Sequence, residues 1–467
     1  MKTMNDARAF WWLFALAALS FLPALFFYYV GEEAIFPITS MEMWQHGSWL
    51  KQYQYGADLK HNPLFNWLIM PLSALAGWKH VLIVTRVLTI CATLSTGLLT
   101  AWLAQRLFRD KAFAAFAAIA YLSMVDLLLY HGWLSYVDPL FAMFIFAAIS
   151  ALWIAAHERR TGLVVAAGAL LVCAFLSKAL TAYLFYGIAL FVLLFDARQR
   201  AFLLRWPTLL IHAVTLAAPL AWFALIPGGH TQGGRMLAEI LHKLVFPDMG
   251  TYLARLLMYP VEIFCWLSPI TLLAAYFWLR KRSREDAPEG RRLFEAVCWI
   301  TLLNFLPYWF SPQGGMRYLL PIYPLLALLA ARVVWQSGAA AIMTARKWIV
   351  GALILKFVVV LAIFPYYQSH YRGKNYDDAA ADILALAQDT PLYSANVSAV
   401  GLSVTAYLDQ RRYPAAAIQQ PPAEWQTGYV LALGPDAALG EVYKKYRLGG
   451  DELYLLCRGA ACTKPHG

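Results

Sequence analysis

Charged residues are scarce in this sequence of 467 residues. Only 14% are Asp, Glu, Lys or Arg, whereas 61% are hydrophobic, and soluble globular proteins carry about 25% charged residues. This scarcity excludes an ordinary soluble domain. The apolar residues come in runs of about 17 to 25, the length that crosses a bilayer as a helix. Because backbone groups in lipid must bond internally and barrel strands would alternate, we expect an almost all-α membrane protein.

Three further absences narrow the function. No glycine-rich phosphate loop indicates a nucleotide site. The basic residues behind the net charge of +11 lie in short clusters between apolar runs. That pattern sets membrane topology, so we expect no nucleic-acid partner. No internal repeat is visible, and the charges gather at one predicted face, which disfavours a lipid or sugar transporter.

Cysteine is also rare, with six in the chain. Four of them are expected to pack in or near apolar runs, namely Cys91, Cys173, Cys265 and Cys298. Cys457 and Cys462 lie in the segment CRGAAC, with no further ligands at zinc-like spacing. A short-loop disulfide is the natural interpretation if that segment lies outside the cytoplasm.

The apolar runs predict about eleven transmembrane helices. Every loop predicted on the inner side of the membrane is basic, as the positive-inside rule requires. The first, from about Phe10 to Val30, has no small-residue cleavage site and is expected to be retained. The positive-inside rule then places the N-terminus in the cytoplasm and residues 366–467 outside. That tail contains helix-like DDAAADILALAQ and strand-like TGYVLALG and ELYLLC. We therefore expect a transmembrane domain over 1–365, followed by a small periplasmic α/β domain.

The first outer loop, GEEAIFPITSMEMWQHGSWL, begins with the adjacent carboxylates Glu32 and Glu33. Two acids at the end of a membrane helix are costly unless they face water or a charged partner. The rest of the loop predicts an amphipathic helix on the membrane surface. The residues expected along its apolar side are Ile35, Ile38, Met41, Trp44 and Leu50.

This topology brings most informative polar residues to the outer face, at loops or helix ends. They are Glu32, Glu33, Asp58, Lys60, His61, Arg86, Asp138, Lys178, His230, Arg235 and Arg317. A cavity with carboxylates and cations suits transfer from a phosphorylated donor. A carboxylate removes the acceptor proton, and Lys or Arg neutralises the phosphate leaving group.

Each of these residues also has a structural interpretation. Outer-loop charges are mostly solvated, and Lys178, between two apolar runs, could extend to the interface. Asp138 could be the N-cap of a helix whose first residue is Pro139. Asp126, inside a predicted helix, either lines the cavity or pairs with His131.

Several motifs, in order, resemble a known family. They are the acidic pair with its following helix, the segment His61–Asn62–Pro63–Leu64, Arg86, and the segments YVDPLFAMF, FLSKAL and MRYLLPIYPLLALL. Over roughly Phe10 to Trp335, the chain is similar to the bacterial dolichyl-phosphate-mannose mannosyltransferase-like group of GT-C glycosyltransferases. This group includes the aminoarabinose transferase that modifies lipid A.

The resemblance implies an inverting glycosyltransferase of the inner membrane that uses a polyprenyl-phosphate-linked sugar. The acceptor would be lipid A, a glycolipid, a polysaccharide or a protein at the periplasmic face. By matching position, Glu32 would be the general base, with Glu33 supporting it and Asp138 as a second acid. Residues implied to hold the donor phosphate are Lys178, Arg86, Arg317, His61 and Lys60. Further cavity candidates are Asp126, Tyr318, His230 and Arg235.

The sequence departs from this family in three ways. Glu32 stands where the family has aspartate, Asn62 replaces a proline, and the chain is shorter than the aminoarabinose transferases. A lipid-linked polysaccharide ligase or polymerase is the alternative, although such enzymes keep key arginines in a large late outer loop. No cofactor is implied with certainty. The acids and histidines could bind a divalent cation, but no ligand spacing requires one.

Overall fold

The computed structural model describes residues 2–59, 61–242, 248–280 and 288–463. Its helices are α1 (Lys2–Leu19), α2 (Ile35–Gln45), α3 (Leu64–Ala76), α4 (Val81–Phe108), α5 (Lys111–Leu122), α6 (Asp138–Glu158), α7 (Thr161–Ser177), α8 (Thr181–Leu193), α9 (Ala197–Leu203), α10 (Trp206–Leu225), α11 (Gly229–His242), α12 (Met249–Trp266), α13 (Ile270–Leu279), α14 (Pro288–Phe310), α15 (Tyr323–Gln336), α16 (Ala339–Val358), α17 (Phe364–His370), α18 (Lys374–Ala387) and α19 (Ala399–Arg412). Its strands are β1 (Tyr53–Gln54), β2 (Ala57–Asp58), β3 (Leu392–Ser394), β4 (Gly428–Ala432), β5 (Glu441–Leu448) and β6 (Asp451–Arg458).

Each apolar segment expected to cross the membrane is mainly helical, and the protein is a multi-pass membrane protein. The segment expected as one helix from about Val261 to Leu279 is instead divided between α12 and α13. Within the described residues, seven helices are long and apolar enough to cross a membrane. An eighth span results if α12 and α13, which meet at a bend of 106°, count together. The expected count was higher because it included α5, α7 and α8, which are shorter apolar helices than the about 20 residues that a full crossing needs.

The chain divides into two compact units. Unit 1 comprises Met1–Phe21, Thr89–Trp133 and Val137–Phe357. Unit 2 comprises Leu22–Leu88, Leu134–Tyr136 and Val358–Gly467. Unit 2 thus combines the first outer loop with the C-terminal tail, a combination that a linear division does not anticipate. The domain boundary at residue 365 stays a prediction.

Small residues allow close helix packing in unit 1. α5 is Ala-rich, so that neighbouring backbones can approach closely, and every residue from Ala112 to Leu122 is buried. Phe116 contacts Phe10 of α1, and Phe113 contacts Trp335 of α15, with ring centroids 5.1 and 5.7 Å apart. α6 is the most buried candidate span of the described chain, and α7 folds back along it.

The C-terminal part of unit 2 is the expected α/β structure. Its sheet has the order β3-β4-β6-β5, with β3 and β4 parallel and the other pairs antiparallel. The core between this sheet and helices α18 and α19 includes Ile383, Val404 and Tyr429. Cys457 and Cys462 form the disulfide that the sequence suggested. The pattern had not predicted β3, β5 or α19.

The expected surface helix of the first outer loop is instead an interior helix. α2 ends at Gln45, before Leu50, and seven consecutive residues from Pro37 to Met43 are buried. Its polar side chains have partners within unit 2. The Asn66 amide donates to Thr39 and Ser40, and Glu42 accepts the amides of Tyr55 and Gly56. Burial raises the pKa of Glu42, and the two backbone amides partly offset this rise.

Candidate functional site

Glu33, the second acid of the first outer loop, is paired with Arg86 in the interior of unit 2. Both side chains are fully buried. Arg86 Nη2 donates to Glu33 Oε2 at 2.6 Å, and Nε donates to Oε1 at 2.9 Å. The other N–H groups donate to the carbonyl oxygens of Ala24, Phe27 and Tyr28. All five N–H groups of the guanidinium therefore have acceptors.

The Glu33 carboxylate is equally saturated. Besides Arg86, it accepts the backbone amides of Val30 at 2.9 Å and Ser135 at 2.7 Å. The structure contradicts the predicted phosphate-binding role of Arg86, because no N–H group is left for a ligand. Glu33 fastens the first outer loop to the segment Leu134–Tyr136.

Glu32 has the opposite environment, since its side chain is exposed. Its backbone N–H donates to the Tyr136 hydroxyl at 3.4 Å, which fixes the start of the loop. The two adjacent acids thus differ in their surroundings. The Glu33 carboxylate accepts four hydrogen bonds from the protein, whereas the Glu32 side chain is exposed at the surface. Its role as general base stays a prediction.

The remaining candidates in the outer loops are exposed or lie outside the described residues. His61 is exposed just before α3, and Arg235 is exposed on α11. His230 also lies on α11, but its side chain is outside what the structure describes, as is Lys60 altogether. Their contacts with a substrate stay predictions.

The structure brings Asp138 and Lys178 together in unit 1. Asp138 is the first residue of α6, and Val137 occupies the N-cap position, so the alternative interpretation of Asp138 as the N-cap is not supported. Its buried carboxylate instead accepts a short hydrogen bond from the Lys178 ammonium. Lys178 directly follows α7, and its side chain is 24% exposed. Because an ammonium has three donors, this pair retains the capacity to bind an anion.

Aromatic rings surround the cation. The Lys178 ammonium lies 5.0 Å from the ring centroid of Tyr318 and 5.9 Å from that of Phe141. The Arg317 guanidinium lies 5.5 Å from the Tyr318 ring. Tyr318 thus connects two of the predicted phosphate-binding cations, and aromatic faces favour such positions electrostatically.

Arg255 of α12 lies beside the loop that leads to Tyr318, and sequence reasoning missed it. Its Nη1 donates to the Pro312 carbonyl at 2.8 Å, and its guanidinium lies 5.0 Å from the Tyr259 ring. Its Nε and Nη2 are buried and have no hydrogen-bond partner within the described residues. These nitrogens form one edge of the guanidinium, the edge that binds an oxyanion with two parallel hydrogen bonds.

The loop after α14 links Arg255 to Tyr318. A Cβ atom on Gly314 would lie 2.3 Å from Arg255 Nη2, and one on Gly315 would lie 3.6 Å from the Tyr318 ring. The Tyr259 hydroxyl donates to the Gly315 carbonyl at 3.4 Å. A side chain at 314 would displace the guanidinium, so the Gly–Gly pair in SPQGGMR was the available signal.

Asp126 pairs with His131, one of the two interpretations of the sequence. His131 Nδ1 lies 2.8 Å from Asp126 Oδ1, and the Tyr323 hydroxyl donates to Oδ2 at 2.9 Å. All three side chains are buried in unit 1. The carboxylate is satisfied internally, so a role in lining the cavity is not supported.

A bound divalent cation was one possibility for the acids and histidines of the outer loops. Within the described residues, no group of three His, Cys, Asp or Glu side chains is arranged to hold a metal ion. Instead, Lys178 and Arg317 lie over the ring of Tyr318, and Arg255 lies over that of Tyr259. This chemistry favours an anion with several oxygen atoms, such as a phosphate.

Sequence comparisons agree with this chemistry. The family described as dolichyl-phosphate-mannose-protein mannosyltransferase matches residues 60–223. An undecaprenyl phosphate-alpha-4-amino-4-deoxy-L-arabinose arabinosyl transferase of Pectobacterium atrosepticum is 26% identical over 337 residues, covering 68% of this chain and 56% of the relative. A protein of the same name from Pectobacterium carotovorum is 28% identical over 345 residues, covering 71% and 59%. The chain thus spans less than two thirds of the length of these relatives.

Solved structures establish the fold. The chain is similar to ArnT from Cupriavidus metallidurans in the apo state, with a TM-score of 0.71 at 15% identity over 97% of this chain and 98% of that one. For the same protein bound to undecaprenyl phosphate, the TM-score is 0.70 at 14% identity over the same shares. The solved structures therefore show that the chain has the fold of ArnT, and the sequence comparisons show that it is similar to aminoarabinose transferases over about two thirds of its length.

Proposed function

We propose that this protein is an inverting glycosyltransferase that moves a sugar from a polyprenyl-phosphate donor to an acceptor of the cell envelope. One observation carries the proposal: two buried guanidinium nitrogens of Arg255 have no hydrogen-bond partner within the described residues, and Arg255 contacts the Gly314–Gly315 loop that leads to Tyr318 and Lys178. Such an unpaired edge is costly without a ligand, and a phosphate would satisfy it. The names of the relatives and the undecaprenyl phosphate bound in a structure with this fold support this substrate class.

The residues have distinct roles in this reaction. Lys178, Arg255 and Arg317 bind the donor phosphate, and their charge stabilises the phosphate that departs when the sugar–oxygen bond breaks. The acceptor hydroxyl attacks the sugar carbon from the opposite face and forms the new glycosidic bond. Glu32 accepts the proton of that hydroxyl. Asp138 orients Lys178, and His61 and Lys60 extend the predicted set of donor contacts.

We also propose an orientation for the chain. The basic inner loops favour a cytoplasmic N-terminus in the bacterial inner membrane. The candidate cluster and the α/β domain over 366–467 would then lie at the periplasmic face. The donor class is consistent with this placement, because a lipid-linked sugar reaches such a site through the membrane. Lipid A, a glycolipid, a polysaccharide or a protein is the acceptor.

The substitution Glu32→Gln tests the reaction in purified full-length protein. We expect transfer from a polyprenyl-phosphate sugar to fall by about 10²- to 10⁴-fold, the usual contribution of a general base. The melting temperature should stay unchanged, because the side chain is exposed. Glu32→Asp, which keeps a carboxylate, is the matched control and should retain part of the activity. Wild-type turnover in Glu32→Gln would exclude Glu32 as the base.

A deletion strain identifies the substrates. Mass spectrometry of its envelope glycolipids and glycans should show the loss of one sugar from one acceptor, and complementation should restore it. An unchanged envelope that still contains every glycoform would contradict a transferase function.

A further inference from the structure

A second cavity lies far from the cluster around Lys178, within unit 1. Its volume is about 1330 Å³, larger than the ~300–1,000 Å³ typical of pockets for small ligands. It is lined by the C-terminal end of α6, by α8 and α9, and by the first half of α14. Asp138 and His157 lie near opposite ends of α6, and 19 residues of helix span about 28 Å. The cavity therefore belongs to the other end of the helix bundle.

The lining has an apolar part and a basic part at different heights along the helices, since Trp153 lies about one turn from His157 on α6 and Trp299 about two turns from Arg292 on α14. Trp153, Phe191, Trp299 and Leu303 provide the apolar surface. The cationic or titratable basic side chains at the cavity are His157, Arg159, Arg198 and Arg292. This separation matches an amphiphile with an anionic head and a hydrocarbon chain.

The acids at the cavity do not neutralise these arginines. Asp196 caps α9 and accepts the amides of Arg198 and Gln199 at 2.9 and 3.0 Å. Glu295 pairs with Arg291, which is outside the lining, at 3.0 Å. Within the described chain, the side chains of the three lining arginines form no ion pair. The basic side of the cavity thus carries a net positive charge.

One buried acceptor points to the nature of the head group. Gln199 Oε1 lines this cavity and has no hydrogen-bond partner in the part of the chain that the structure describes. An unpaired buried oxygen is costly, and it is satisfied by a ligand that donates a hydrogen bond. A phosphate that carries a hydroxylated group provides both the anion and the donor.

We propose that this cavity binds an anionic glycerophospholipid. The phosphate lies among Arg159, Arg198 and Arg292, a head-group hydroxyl donates to Gln199, and an acyl chain covers Phe191 and Trp299. A solvated basic surface explains the arginines alone, but it leaves the apolar wall and the Gln199 oxygen unexplained. Basic pockets between membrane helices generally bind such head groups. Free phosphate would leave the apolar wall uncovered.

Native mass spectrometry of the full-length protein in detergent tests this site. The probes are phosphatidylglycerol and phosphatidylcholine, added in equal amounts, and inorganic phosphate as a competitor. The test variant is Arg198→Gln with Arg292→Gln. The matched control is Arg200→Gln with Arg346→Gln, which removes the same charge from exposed positions outside the cavity.

We expect wild-type protein to retain phosphatidylglycerol in preference to phosphatidylcholine. The test variant should retain about tenfold less, since lost charge-assisted hydrogen bonds weaken binding by at least this factor, and the control should match wild type. Trp299→Ala should also weaken retention, because an acyl chain loses its contact. Equal losses in both arginine pairs would reduce the effect to surface charge and overturn the proposal. Displacement by millimolar inorganic phosphate, or equal retention of both lipids, would also overturn it.

Discussion

Two acid–base pairs in this protein have the same chemistry but opposite surroundings. The Glu33–Arg86 pair of unit 2 is fully buried, and each N–H group of the arginine has an acceptor from the protein itself. The Asp138–Lys178 pair of unit 1 is partly exposed. Arg255, in the same cluster, keeps two donors without partners within the described residues. The first pair holds the structure together, and we propose that the second is part of a binding site.

The difference lies in the hydrogen-bond donors for which the protein itself provides no acceptor. A buried polar group without a partner is costly, so it persists where a ligand or water satisfies it. Charge alone does not separate the two pairs, since each has one acid and one base. The two sites differ instead in how many N–H groups of their cations lack an acceptor within the described residues. Substitutions can test whether that number distinguishes a binding site from a structural ion pair.

The largest effect is expected from Arg86→Met. It leaves the Glu33 carboxylate buried without its cation, and breaking a buried ion pair costs about 3–5 kcal/mol. Thermal unfolding of the detergent-purified protein should show a strongly lowered melting temperature or no folded protein. Glu32→Gln, at the exposed neighbour, is the control and should unfold like wild type. An unchanged melting temperature in Arg86→Met would mean that the pair does not hold the loop.

Lys178→Met should reduce activity more than stability. Loss of one group that stabilises transition-state charge lowers kcat by about 10²- to 10³-fold. Lys178→Arg keeps the charge and should retain part of the rate. The double variant Asp138→Asn with Lys178→Met removes the uncompensated acid and should recover stability but not turnover. Recovery of both in the double variant would reduce this pair to a structural role as well.

Lys356 is an intermediate case that sharpens the criterion. It is fully buried, and its ammonium has no hydrogen-bond partner within the described residues. The ring centroids of Phe21 and Trp133 lie 5.1 and 5.4 Å from the ammonium. Lys356→Met keeps the length and removes the desolvated charge, so we expect equal stability or a gain of about 1–4 kcal/mol. A loss larger than about 1 kcal/mol in thermal unfolding would show that the amine has a partner of its own.

The effect expected at Asp409 depends on pH. Burial in unit 2 raises the pKa of this carboxyl to about 8, above the ~3.9 of an unfolded aspartate. Since the fold favours the protonated form, its stabilising contribution is complete below about pH 4 and is lost as the pH rises through about 8. Asp409→Asn should flatten the fall in melting temperature over this range. A parallel fall in both proteins would contradict the raised pKa.

Much of the fold was predictable, because membrane helices are encoded locally. The apolar runs predicted most helices of the bundle, although not α9 or the break between α12 and α13, and the strand-like segments TGYVLALG and ELYLLC predicted β4 and β6. Burial of α2 was not predictable, since Thr39, Ser40 and Glu42 look solvated until Asn66 and the amides after β1 reach them.

The candidate site shows the same limit. Lys178 was recognisable as a cation between apolar runs, but its pairing with Asp138 joins residues 40 positions apart. Arg86 and Glu33 are 53 positions apart in the sequence. The sequence therefore did not indicate that they pair, and the structural role of Arg86 was not predicted. Arg255 was not singled out in the sequence, because its contact with the loop at Gly314 is seen only in the folded protein.

The central claim, that open donors in the Lys178–Arg255 cluster bind the donor phosphate, is tested most directly by the affinity of Arg255→Gln for undecaprenyl phosphate. Titration of purified protein should give a Kd at least about tenfold weaker than wild type, because a hydrogen bond to a charged group contributes about 1.5–3 kcal/mol. The exposed control Arg346→Gln should bind like wild type, and both variants should keep the melting temperature of the native protein. An unchanged Kd in folded Arg255→Gln would contradict the assignment.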